Sequence, residues 1–158
     1  MSGKYSEIQA RFLKINKTAT YIPCMAHSLN LSGTAAAESC TDAQTYFSFV
    51  QNLYTFLSGS TYRWSVLKNL VENEDIYGRQ NVPEDKIRAR LPKRLSDTRW
   101  SARADALRSL SLHYNAYKST LQTLGNDRLQ KNETRAEAVN LVKKMGKRET
   151  AFFTSFWN

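Results

Sequence analysis

Apolar residues recur along this chain at steps of three and four far more than at steps of two, a pattern that predicts helices. The clearest run follows Thr41, where Tyr46, Phe49, Val50, Leu53 and Phe56 keep to one helical face. Thr41 and Gln44 form a capping-box pair at its start, and Gly59 suits the position after its end. Ser60 is placed to cap the next helix, on which Trp64, Leu67 and Val71 face inward. Further on, Trp100, Ala104, Leu107, Leu110, Tyr114, Tyr117, Leu121 and Leu124 form one stripe. That stripe predicts a single helix of about 37 Å, at about 1.5 Å per residue, ending at Gly125. Thr134 and Glu137 make a second capping box, opening a helix through Val139, Val142 and Met145 up to Gly146.

The pattern is weaker elsewhere. Ser6 to Lys17 reads as a short amphipathic helix carrying Ile8, Phe12, Leu13 and Ile15. Thr20, Tyr21 and Ile22 form a brief β-favouring run closed by Pro23, the one convincing strand. A helix beginning at Cys24 carries His27, Leu29 and Leu31 before Gly33. Residues 72–96 have no apolar period and contain Gly78, Pro83 and Pro92, so they are expected to form a charged loop. The last aromatics, Phe152, Phe153, Phe156 and Trp157, need a partner surface to bury them. The fold class expected is mostly α.

Composition narrows the classes. With 158 residues, 41% hydrophobic and 23% charged, the chain suits one ordinary domain or a piece of a larger one. No run of eighteen apolar residues occurs, so no spanning helix and no membrane partner are expected. Two cysteines, Cys24 and Cys40, are too few for a disulfide scaffold. The start lacks a signal-peptide pattern, so an intracellular location is expected.

Charge adds more. The net charge is +9 and the isoelectric point near 9.7, one sign of a nucleic-acid partner. A generically basic, well-solvated surface is the alternative. The charge is uneven: Glu72 to Asp85 carries five acids and one base. Lys86, Arg88, Arg90, Lys93, Arg94 and Arg99 then follow, opposed only by Asp97. This basic run suits a nucleic-acid backbone, a nuclear-import signal, or simply a solvated loop.

Three motifs carry a resemblance. Cys24-Met25-Ala26-His27-Ser28-Leu29-Asn30-Leu31 resembles the C-x-x-H-x-L-N-L signature of hAT-superfamily transposases. Tyr54 to Arg63 looks like that family's aromatic helix ending in S-x-x-R, here Ser60-Thr61-Tyr62-Arg63. Leu95 to Arg103 matches its T-R-W-x-x-R element through Thr98-Arg99-Trp100 and Arg103. The opening Met1-Ser2-Gly3 segment is similar to the M-S-G segment preceding C-x-x-H there. The branch most resembled is that of the domesticated zinc finger MYM-type and THAP-type repressor-like proteins.

The resemblance implies a partial RNase H-like core, with one short strand, leading into an all-α insertion. Residues 1–33 would be the core fragment with the C-x-x-H motif, and residues 34–158 the helical insertion. In active family members three carboxylates hold two divalent metals for phosphoryl transfer. By the family's order, two of those acids precede Met1 and the third follows Asn158. Catalysis by this chain is therefore not expected, and neither is a cofactor; divalent metal belongs to an intact family member. The functions expected are a DNA-binding or protein-interaction remnant located in the nucleus, or a segment of an active transposase.

Individual residues keep more than one reading. Cys24 and His27 share a helix face, and with Cys40 and His113 they suggest zinc, but structural zinc usually shows two close-spaced pairs. Core packing, a phosphate approach by His27 as the resemblance implies, and a Cys–His nucleophile are the other readings. Arg99 suits a phosphate and Trp100 a stacked base, yet Trp100 equally begins the apolar stripe. The candidate partners are DNA, a protein partner, or a second copy through a helical surface.

Overall fold

The computed structural model describes residues 8–20, 22, 24–78, 91–96 and 99–156, and eight helices occupy most of them. They are α1 (Ile8–Ile15), α2 (Met25–Glu38), α3 (Thr41–Ser58), α4 (Thr61–Gly78), α5 (Trp100–Leu112), α6 (Tyr114–Asn126), α7 (Asn132–Met145) and α8 (Arg148–Phe156). Helix α3 is the hub. Its apolar face is wide, with Tyr46, Phe47, Phe49, Val50, Leu53, Phe56 and Leu57 all buried. It packs against α2, α4, α7 and α8. Leu67 and Val71 of α4 and Leu121 and Leu124 of α6 complete the interior.

The mostly helical expectation holds. The expected strand does not: Thr20 and Ile22 lie in irregular backbone, Tyr21 falls outside the described residues, and no strand occurs among those described. A lone strand has no edge to pair with, and irregular backbone in contact with water satisfies its polar groups as well. Helix α2 runs from Met25 through Gly33 and the alanine-rich stretch to Glu38.

Three further expectations are corrected. The charged loop 72–96 is helical up to Gly78, because α4 is held by contacts that its apolar pattern does not report. Lys68 and Glu72 pair one turn apart at 3.6 Å, and Glu74 reaches His113 Nδ1 at 3.3 Å. Residues 79–90 lie outside the described residues.

The single long helix is two helices broken at His113, whose backbone has φ −121° and ψ 32°. The break turns α5 toward α2 and α8 while α6 packs on α4 and α7. It also rotates the buried face of α5, which presents Arg103, Ala106, Leu107, Ser109 and Leu110 and leaves Ala104 exposed. The Ser109 and Tyr117 hydroxyls meet across the break at 2.8 Å.

Neither capping box forms as expected. Cys40 and Lys131 are the N-cap residues, and neither offers a side-chain cap. Gln44 instead donates to the Glu38 carbonyl, which ties α3 to the end of α2. Gly125 lies inside α6, where a Cβ would meet Val139 Cγ2 at 3.1 Å, so its absence lets α6 and α7 approach closely.

Candidate functional site

The first and third motifs meet. Arg99 is the N-cap of α5 and supplies no side-chain cap, so the first N–H groups of α5 need acceptors from elsewhere. Asn30 of α2 provides one: its Oδ1 accepts from the Trp100 N–H at 2.7 Å. The same amide donates through Nδ2 to the Ala26 carbonyl at 2.7 Å, which fixes which end faces Trp100. One turn along α2, Gly33 lies under the Trp100 ring, where a Cβ would meet Cδ2 at 3.0 Å. The indole edge also lies against Phe47, centroids 6.1 Å apart. Trp100 is thus a half-buried packing residue that joins α2 to α3 and α5.

Sequence reasoning missed Arg103 as a site residue. It is 7% exposed, an unusual burial for a charged side chain. Its guanidinium lies 4.7 Å from the Phe47 centroid and 5.7 Å from that of Trp100, and its Nη2 donates to Glu38 Oε1 at 3.1 Å. Among the described residues its Nε has no hydrogen-bond partner. The available signal was its spacing: three residues after Trp100 on a helix, it must share that residue's face. Arg63, closing the second motif, makes a related contact over the Phe56 ring at 4.4 Å.

The other predicted residues are distributed as follows. Cys24 and His27 are both exposed, and the Cys24 carbonyl accepts from Ser28 N–H at 3.0 Å. Cys40 is exposed as well, whereas His113 is buried beside Glu74. No group of three or more metal-ligating side chains comes together among the described residues. Arg99 and Arg94 are exposed. Lys93 pairs with Asp105 at 2.9 Å, so part of its charge is spent inside the chain. Lys86, Arg88 and Arg90 lie outside the described residues.

A polar cleft of about 590 Å³ opens beside this junction, with Glu38, Ser48, Gln51, Asn52, Arg94 and Arg103 among its walls. Among the described residues no helix is long and apolar enough to cross a membrane.

The Asn30 contact gives a direct test. Asn30→Ala should remove a cap supplied from another helix and lower stability by about 1 kcal/mol. Chemical denaturation measures it, and an unchanged midpoint would mean that water caps α5 equally well.

Comparison with known proteins finds no matching family model, no matching curated protein and no matching solved structure.

Proposed function

We propose that this chain is a catalytically incomplete hAT transposase-like module, a fragment of an RNase H-like core leading into a helical insertion. In this reading it contacts DNA through a basic surface that includes Arg94 and Arg99. The observation that carries it is the Asn30 to Trp100 N–H bond. That bond joins two of the three resembling motifs across seventy positions and leaves Arg99 exposed beside the junction. The net charge of +9 supports the same reading.

Binding to duplex DNA, measured by fluorescence anisotropy over a salt series, tests this. Each lost phosphate contact lowers the log–log salt slope by about 0.9. Arg94→Ala and Arg99→Ala should each remove about one such step. Lys93→Ala should remove less, because Asp105 already neutralises that charge in part. Affinity that ignores salt, or that survives both arginine substitutions, would leave the positive charge as a matter of solubility alone.

A protein-interaction role, or membership of a larger transposase-like protein, is favoured by a separate observation. Ile15, Met25 and Leu29 on α1 and α2 are 86%, 78% and 75% exposed, and such apolar side chains are expected to be covered by further protein. Flanking coding sequence that supplies the family's two acids upstream and its third downstream would favour an active enzyme; stop codons on both sides would favour the remnant.

A further inference from the structure

We infer that the cleft between α3, the Arg94–Leu95 segment and α5 binds a small organic phosphate, an ester of sugar-phosphate to nucleotide size. This inference goes beyond the DNA reading, with which it shares Arg94.

Its lining includes the Arg103 side chain, 9% exposed and, among the described residues, paired through Nη2 with a Glu38 carboxylate that is itself 56% exposed. A buried guanidinium matched by one mostly solvated carboxylate is under-compensated, because burial penalises charge and an exposed partner screens it poorly. Arg94 stands at the rim, so the three charged groups of the lining sum to one net positive charge. Gln51 holds that rim in place: its Oε1 accepts from the Leu95 N–H at 3.1 Å and its Nε2 donates to Thr55 Oγ1 at 3.3 Å.

Between these ends, Ser48 and Asn52 lie one turn apart on α3 and face the same cleft. Neither makes a side-chain hydrogen bond among the described residues. The lining therefore offers two guanidinium groups, a hydroxyl and a free carboxamide. Those donors exceed what the two oxygens of a carboxylate accept, and they suit the several oxygens of a phosphate ester. The carboxamide also both donates and accepts, as the hydroxyls of a sugar or the edge of a base require. A volume of about 590 Å³ lies in the range of small-molecule sites.

The test is calorimetric titration of the whole chain with ribose 5-phosphate, deoxyadenosine 5′-monophosphate, deoxyadenosine and inorganic phosphate. A short oligonucleotide, with and without a 5′-phosphate, distinguishes a free ester from a strand end. Saturable one-to-one binding of an ester is expected, at least about tenfold tighter than deoxyadenosine or inorganic phosphate. Arg94→Ala and Asn52→Leu, at exposed positions, should each weaken it by about tenfold or more while leaving the circular dichroism spectrum unchanged. Ser48→Leu is the second block should either variant fail to fold. No ester binding, equal binding of inorganic phosphate, or wild-type affinity in the folded variants would overturn the inference. Failure of the unmodified chain to bind DNA, with ester binding intact, would count against the DNA reading alone.

Discussion

Replacing Arg103 by alanine is expected to lower the stability of the chain by about 3 kcal/mol, within the range for truncating a large buried side chain. For a chain of this length that corresponds to a fall in melting temperature of about 6–12 °C. The loss comes from packing. The guanidinium covers the Phe47 ring and reaches toward Trp100, so truncation leaves a gap at the junction of α2, α3 and α5. Removing the charge also frees Glu38, but that carboxylate is 56% exposed and water accepts it at little cost. Glu38→Gln should therefore cost no more than about 1 kcal/mol. Arg103→Lys keeps the charge but loses the planar group that stacks on the ring, so it should recover only part of the stability. Thermal melting of the three variants decides the matter. An Arg103→Ala chain within about 0.5 kcal/mol of the parent would show that the stack is incidental.

Alkaline unfolding should begin above pH 10 and be governed by buried phenols. Burial pushes the Tyr46 hydroxyl up to about 12, against an ordinary value of 10.0. Burial also pushes Tyr117 up, and its bond to Ser109 opposes the rise. The Tyr46 hydroxyl is 2.8 Å from Thr154 Oγ1, whose own proton goes to the Thr150 carbonyl, so Tyr46 is the donor. A neutral phenol favoured by folding stabilises the chain fully below the unfolded value of 10. That contribution disappears as pH rises through the folded value near 12. For Tyr46 it is on the order of 3 kcal/mol. Tyr46→Phe should cost about 1 kcal/mol at neutral pH through the lost hydrogen bond, yet resist alkali better than the parent. Tyrosinate absorbance followed beside circular dichroism measures both. Smooth ionisation of all eight tyrosines before any loss of helix would contradict the expectation.

The C-terminal aromatics illustrate a partial reading. Phe153 stacks on Tyr46 with centroids 5.4 Å apart, so the chain covers part of the cluster itself. Phe152 and Phe156 stack on each other and are exposed. Trp157 lies outside the described residues. Composition alone marked the cluster as apolar, but which ring turns inward depends on the angle at which α8 meets α3.

The main face of helix α3 was legible because its periodicity and its burial are the same fact. Tyr46, Phe49, Val50, Leu53 and Phe56 are apolar at every position that faces a neighbour, and all five are buried. The break at His113 was not legible, since the apolar stripe of α5 continues in register into α6. A partner from α4, Glu74, meets the imidazole where the backbone departs from the helix. The helical extension from Glu72 to Gly78 escaped for the same reason: its support is polar and includes a residue far along the chain.

Local periodicity by itself determined that this protein is helical, where its main amphipathic faces lie, and that its positive charge is unevenly spread. Those properties depend on neighbours three or four residues apart, which a sequence displays directly. Only the tertiary structure decided that Asn30 caps α5, that Gly33 seats the Trp100 ring, and that Arg103 lies inside rather than on the basic surface. Each of those depends on two helices meeting at one angle and one register. Such contacts join residues distant in the chain, and no local period encodes them.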